Sequence, residues 1–345
     1  MHSKQEKIAN FNPSDVGQLG NNIFGLPFTE EESDIILFPV PWEVTTSYAS
    51  GTAKGPDAIM EASYQVDLYD LDFPDTWKKG IYMLDNPAHW NDSSFSNRLK
   101  AKNVIEHLSE GGEPENNPRI VEALHDVNNA SIQLNQWVYE ETSRWLKQGK
   151  KVGLVGGDHS TPLGYMKALG EQYGSFGILQ IDAHADLRNA YEGFTYSHAS
   201  IMFNALQLPA VEKLVQVGIR DICEEEVNYI NTHAEKVATF YDQAIKRRQF
   251  EGATWKSICE DIIAQLPKNV YISFDIDGLD PKLCPSTGTP VPGGFELEQI
   301  NYLLVLLKQS GKHIIGFDLN EVAPGESEMD AIVGARVLFK LCGVL

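Results

Sequence analysis

KVGLVGGDHS (residues 151–160), FGILQIDAHAD (176–186) and VYISFDIDGLDP (270–281) share one plan: a short apolar run that ends in glycine or acid. Continuous apolar runs of this length, rather than alternating ones, belong to strands buried on both faces of a parallel sheet. DIILFPV from Asp34, KLVQVGI from Lys213, KVATFY from Lys236 and HIIGFDL from His313 complete the series. Helical patterns over 130–148, 161–173, 224–232, 253–265, 296–309 and 327–341 alternate with them. In one of these, Leu297, Ile300, Leu304 and Leu307 recur at helical spacing, as a core-facing stripe does. Strands alternating with helices predict an α/β fold with a mainly parallel sheet covered on both faces. The 345 residues are expected to form one elaborated catalytic domain, 1–345, with a polar surface insertion around 86–118 centred on SEGGEPENNP.

Composition narrows the function. An apolar content of 42% is enough for a large core. Against 28 Lys and Arg stand 48 Asp and Glu, a net charge of −20. That balance disfavours nucleic acid and anionic membrane surfaces, so no partner of either kind is expected. The first twenty residues lack the apolar stretch of a secretory signal, and no run approaches the roughly 18 apolar residues of a membrane span. Cys223, Cys259, Cys284 and Cys342 are scattered without a CxxC pair, which reads as free thiols in a reducing compartment and gives a cytoplasmic location.

The chemistry lies where the apolar runs stop. Open parallel sheets bind ligands beyond the carboxyl ends of their strands. There this chain carries His159, Asp182, His184, Asp186, Asp275 and Asp277. Residues two apart in extended chain point the same way, so Asp182, His184 and Asp186 could converge, as could Asp275 and Asp277. A single Asp after a strand is commonly a helix cap, and a lone His is commonly structural. Six such residues at three strand ends are better explained as metal ligands. Four crowded carboxylates repel one another without cations. Two divalent ions would match their charge, and an all-nitrogen and oxygen donor set suits Mn2+, with Fe2+, Co2+, Ni2+ and Zn2+ as alternatives.

In this order, GGDHS, DAHAD and SFDIDGLDP resemble the three signatures of the ureohydrolase superfamily of arginases, agmatinases and formiminoglutamases. Pro39-Val40-Pro41-Trp42, GTAKGPDAIMEAS (51–63) and GFDLNEV (316–322) resemble its flanking motifs. The resemblance implies a three-layer α/β/α sandwich with an eight-stranded sheet, a homo-oligomer, and two divalent ions with Mn2+ as the expected metal. It implies that Asp182 and Asp275 bridge the ions, that His159 and Asp186 complete one site, and that His184 and Asp277 complete the other. A bridging hydroxide would attack the guanidinium carbon and release urea and an amine. Glu321 would orient the guanidinium, and His198, with an ordinary pKa of about 6.5, would carry a proton to the departing amine. Asp158 would support the ligands from behind.

DLRNAYEG (186–193) followed by Ser197 and His198 resembles agmatinases more than arginases. This favours a guanidino substrate without an α-amino-acid head group. Arginase, guanidinobutyrase, another guanidino-acid hydrolase, or a formiminoglutamase releasing formamide are the alternatives. From other classes come a non-catalytic metal-binding protein and a single-zinc hydrolase of deacetylase type. Trp42, Tyr48, Tyr191, Phe194 and Tyr196 are candidates to line the entrance.

Overall fold

The computed structural model describes residues 3–345. Its strands are β1 (Ile35–Val40), β2 (Ile81–Met83), β3 (Lys151–Gly156), β4 (Phe176–Ile181), β5 (Val211–Val217), β6 (Val237–Phe240), β7 (Asn269–Asp275) and β8 (His313–Asn320). They form one sheet in the order β2-β1-β3-β8-β7-β4-β5-β6, with every pair parallel. The seven strands read from apolar runs are all present. The eighth, β2, is three residues long, too short to announce itself by pattern.

Eleven helices are described: α1 (Lys4–Asn10), α2 (Gly55–Ser63), α3 (Ala88–Ser109), α4 (Pro118–Lys147), α5 (Leu163–Tyr173), α6 (Ile201–Ala205), α7 (Glu224–Thr232), α8 (Asp242–Phe250), α9 (Trp255–Ala264), α10 (Leu297–Gln309) and α11 (Met329–Val344). Alternation along the strands divides the core in two. Ile35 and Leu37 face a cluster built with Ile59 of α2, Ile262 of α9, Leu304 of α10 and Leu338 of α11. Ile36 and Phe38 face the opposite cluster, with Val104 of α3, Leu134 of α4 and Met166 of α5. The result is the expected α/β/α sandwich. Pro39 is tolerated in β1 because β2 pairs only with Ile35 to Leu37, leaving the strand beyond them without a neighbour on that side.

The stretch around 86–118 is built mainly as helix. In α3 the buried positions are Trp90, Ser94, Asn97, Arg98, Ala101 and Val104, which fall at helical spacing, yet half of them are polar, so no apolar stripe marks the helix. The helix that follows begins at Pro118, not at residue 130. Asn117 caps it by accepting from the Arg119 N–H at 3.2 Å, with Pro118 in the first turn. All four cysteines are free, as expected, and no described helix is long and apolar enough to cross a membrane.

The strand order matters most for function. β3, β8, β7 and β4 are consecutive neighbours at the centre of the sheet, so the ends of all four open on one place. Gly157 lets the β3 end lie against the loop after β1: a Cβ there would sit 2.0 Å from the Trp42 carbonyl oxygen. Backbone cannot yield as a side chain can. Gly157→Ala is therefore expected to destabilise the metal-free protein by about 2 kcal/mol or more, within or above the usual cost of overpacking. For Gly112→Ala the three nearest atoms all belong to the His107 ring, which can swing aside, so it should cost less. Urea unfolding of both variants checks this, and equal midpoints would contradict it.

Candidate metal centre

The ends of β3, β4 and β7 deliver the six expected ligands to one buried cluster. His159 Nδ1 lies 3.0 Å from Asp182 Oδ2, 3.0 Å from Asp186 Oδ2 and 3.4 Å from Asp275 Oδ2. His184 Nδ1 lies 3.0 Å from Asp277 Oδ2 and 3.7 Å from Asp182 Oδ1. Two overlapping groups result, His159–Asp182–Asp186 and Asp182–His184–Asp277, with the donor atoms of each within 4.8 Å of one another. Asp182 belongs to both, one oxygen toward each. Asp275 reaches the first group through its contact with His159.

The local chain explains this division. β4 ends at Ile181, so the two-residue alternation of a strand does not extend through DAHAD. Asp186 turns into the left-handed region at φ 54, which swings its carboxylate to the His159 side while His184 stays with Asp277. Asp182 is held from behind by a buried amide chain. Thr239 donates to Gln216, Gln216 donates to Gln180 at 2.7 Å, and Gln180 donates to Asp182 Oδ2 at 2.8 Å. On His159 the other ring nitrogen, Nε2, lies 2.9 Å from Ser273 Oγ, whose hydroxyl donates to Asp318 at 3.0 Å. Ser273 therefore accepts from Nε2–H, which turns Nδ1 toward the carboxylates.

The residues fit a pair of cations. His159 Nδ1 is buried and makes no hydrogen bond of good geometry, although three carboxylates surround it. Burial, then the charge of its neighbours, drives the carboxyls upward. Asp186 is pushed up to about 7 by burial and by Asp182, and Asp275 well above its ordinary value by burial, Asp277 and Asp182. Burial works against charge on the histidines too, but the acids overcome it. Asp277 lifts His184 to about 10, and Asp182, Asp186 and Asp275 lift His159 well above its ordinary value. Asp277 goes the other way: burial opposes its charge, but the His184 cation holds it below the usual carboxylate range. Without metal, protons do part of the work that cations would do.

Both proposed catalytic groups border the same cleft of about 180 Å³, with His159, His184, Asp186 and Asp275 in its wall. Glu321 follows β8 at φ 63, and its Oε1 accepts from the His159 N–H at 2.9 Å. Its Oε2 is buried without a partner, and Gly288 leaves it room: a Cβ there would lie 2.9 Å away. Burial, then the charges of Asp275 and Asp158, raises this carboxyl well above its ordinary value. His198 differs from the expected ordinary imidazole. Loss of solvent, then the positive charge of His184, pushes it down to about 3, although an edge of the residue stays open to the cleft. Asp158 stands behind the site, accepting from Ser160 and from the Val44 N–H at 3.1 Å.

Of the aromatic candidates, only Tyr191 lines the cleft. Trp42 and Phe194 are core residues, Tyr48 is 79% exposed, and Tyr196 lines a separate groove between α4 and α5. Sequence reading missed Ser47, Asp221, Ile222, Glu226 and Thr289 in the cleft wall. None stands beside a motif at a strand end except Asp221, in the loop after β5.

Metal uptake must expel the protons on His159 and His184. Both lose protons on binding, so cation affinity should rise as pH rises. Titration of Mn2+ into metal-free protein at two pH values on either side of neutrality checks this; an affinity independent of pH would contradict it. Asp182→Asn should remove both ions from the dialysed protein, while Asp186→Asn and Asp277→Asn should each weaken one site, as counted by elemental analysis.

The model of the arginase family matches residues 33–343. An N(1)-aminopropylagmatine ureohydrolase from Thermus thermophilus is 31% identical over 317 residues, covering 91% of each chain. An agmatinase from Halalkalibacterium halodurans is 29% identical over 298 residues, covering 85% of each. Among solved structures, the agmatine ureohydrolase of Thermoplasma volcanium superposes with a TM-score of 0.69 at 22% identity, over 99% of this chain and 97% of that one, which bears on the fold. The family match spans the whole sheet and every residue of the metal cluster, and by it this chain belongs to the arginase family.

Proposed function

We propose that the chain is an agmatinase-like ureohydrolase that splits a guanidino compound with a cationic tail into urea and an amine. The observation that carries this reading is the free Glu321 oxygen beside the shared-aspartate cluster. His159, Asp182 and Asp186, with Asp275, would hold one ion; Asp182, His184 and Asp277, with Asp275, would hold the other. The donor set suits Mn2+. When bound, the ions supply a Lewis acid and a water ionised near neutral pH.

The remaining work falls to side chains. A guanidinium carbon is a poor electrophile because its charge is shared by three nitrogens, so it must be held in place. Glu321 presents Oε2 to guanidinium N–H groups while His159 N–H fixes Oε1. His198 borders the cleft and is neutral near pH 7, so one ring nitrogen carries a lone pair that can take up a proton. It would return that proton to the departing amine as the C–N bond breaks.

The cleft wall favours a cationic tail. Arg188 lies 3.7 Å from Glu226 and stacks on the Tyr191 ring at 4.9 Å, so its charge is offset. Among the described residues Asp221 makes no ion pair. The named relatives include ureohydrolases of N(1)-aminopropylagmatine and agmatinases, whose names carry such amines. The scattered free thiols support a cytoplasmic location, and the family resemblance supports a homo-oligomer.

Mn2+-loaded protein tested on agmatine, N(1)-aminopropylagmatine, 4-guanidinobutyrate, arginine and formiminoglutamate should release urea from the guanidines and no formamide from formiminoglutamate. Its kcat/KM should be highest on the amine-tailed guanidines, by about tenfold, or roughly 1.4 kcal/mol. Formamide release, or preference for an anionic tail, would overturn the substrate assignment. Glu321→Gln should lower kcat/KM by about 2–5 kcal/mol, the cost of breaking a buried charge pair.

A further inference from the structure

His198 does not hold its own orientation; the loop after β1 holds it. Thr45 is fully buried, and its Oγ1 lies 3.2 Å from His198 Nδ1 and 3.1 Å from the His198 backbone nitrogen, whose N–H it accepts. Ser197 Oγ also stands 3.3 Å from Nδ1, but it accepts from the Ala199 N–H and belongs to the same turn as the histidine. Thr45 is thus the one contact to Nδ1 that comes from another element, 153 residues away.

The loop carrying Thr45 is itself anchored. Arg98 of α3 is 8% exposed; its Nη1 donates to the Val44 carbonyl at 3.0 Å and its Nη2 to Ser50 Oγ at 3.3 Å. At the loop's far end, Glu43 accepts from the Gly51 N–H at 2.6 Å and the Ala53 N–H at 3.1 Å. The Val44 N–H is taken by Asp158. A hydroxyl held this firmly can fix an imidazole plane and its tautomer.

We infer that Thr45 is a positioning residue: its hydroxyl accepts the His198 backbone N–H and hydrogen-bonds the ring Nδ1, which fixes the ring plane and a single tautomer and leaves Nε2 for the cleft. The inference rests on the reading of His198 as the proton carrier. It also gives α3 a task, since Arg98 locks the segment on which Thr45 sits.

The test uses Mn2+-loaded full-length protein with agmatine or whichever guanidine it turns over best. Thr45→Val keeps the shape and removes the hydroxyl, and Thr45→Ser keeps the hydroxyl. Thr45→Val should lower kcat by about 10- to 100-fold with little change in KM or metal content, a part of the usual 10²–10⁴-fold contribution of a proton-transfer group. Thr45→Ser should stay within about threefold of wild type, as a retained hydrogen bond of about 1 kcal/mol would give. In a His198→Ala background Thr45→Val should have no further effect on kcat. In parallel, ¹⁵N-histidine NMR should show a single His198 tautomer in wild type and in Thr45→Ser, and a mixture of tautomers in Thr45→Val.

An undiminished kcat in Thr45→Val, or an equal loss with and without His198, would overturn the proposal. If His198→Ala leaves kcat intact, the reading of His198 fails, and the NMR signature alone then shows whether Thr45 sets the ring. A wild-type spectrum with a mixture of His198 tautomers would overturn the positioning claim regardless of kinetics.

Discussion

Placing four aspartates and a glutamate out of water at one end of a parallel sheet is the constraint on which the rest of this molecule depends. Asp182, Asp186, Asp275, Asp277 and Glu321 are each at most 5% exposed. Taking carboxylates from water is costly, and crowding them adds repulsion. The fold answers in layers. The histidines interleave with the acids, backbone N–H groups of Ala183 and His184 donate to Asp277 and Asp182, and Arg220 donates to the Asp277 carbonyl at 2.6 Å. What these leave over is a deficit of positive charge, which two divalent cations would fill.

The sheet makes the crowding possible. Because β8 lies between β3 and β7, and β4 lies beside β7, chain segments more than a hundred residues apart end side by side. Close approach then depends on small residues. A Cβ on Gly278 would meet the Asp182 nitrogen at 2.8 Å, and one on Gly156 would collide with Asn320. Asp186 and Glu321 take left-handed backbone conformations where the chain must turn to aim a carboxylate. Such conformations cost about 1–3 kcal/mol each and persist where the surroundings enforce them.

Much of this was legible in the sequence. Seven strands could be read because each is a largely apolar run, and six candidate ligands because each motif sits where such a run stops. The order of the sheet was not legible, since nothing in a strand's own residues states its neighbour. Nor was α3, whose buried face uses Ser94, Asn97 and Arg98 in place of an apolar stripe. The division of labour within DAHAD was legible only through the family resemblance, because strand alternation alone puts Asp182, His184 and Asp186 on one side and the turn at Asp186 separates them. The lowered basicity of His198 was hidden for a related reason: it arises from burial and from His184, which only folding brings near.

The account therefore turns on whether the cluster holds two cations that share Asp182. Anomalous diffraction from a crystal of the Mn2+-loaded protein, recorded at the manganese edge, tests this directly. Two peaks bridged by Asp182, one beside His159 and Asp186 and the other beside His184 and Asp277, are the predicted result. A single peak at full loading, or ions bound away from Asp182, would contradict it.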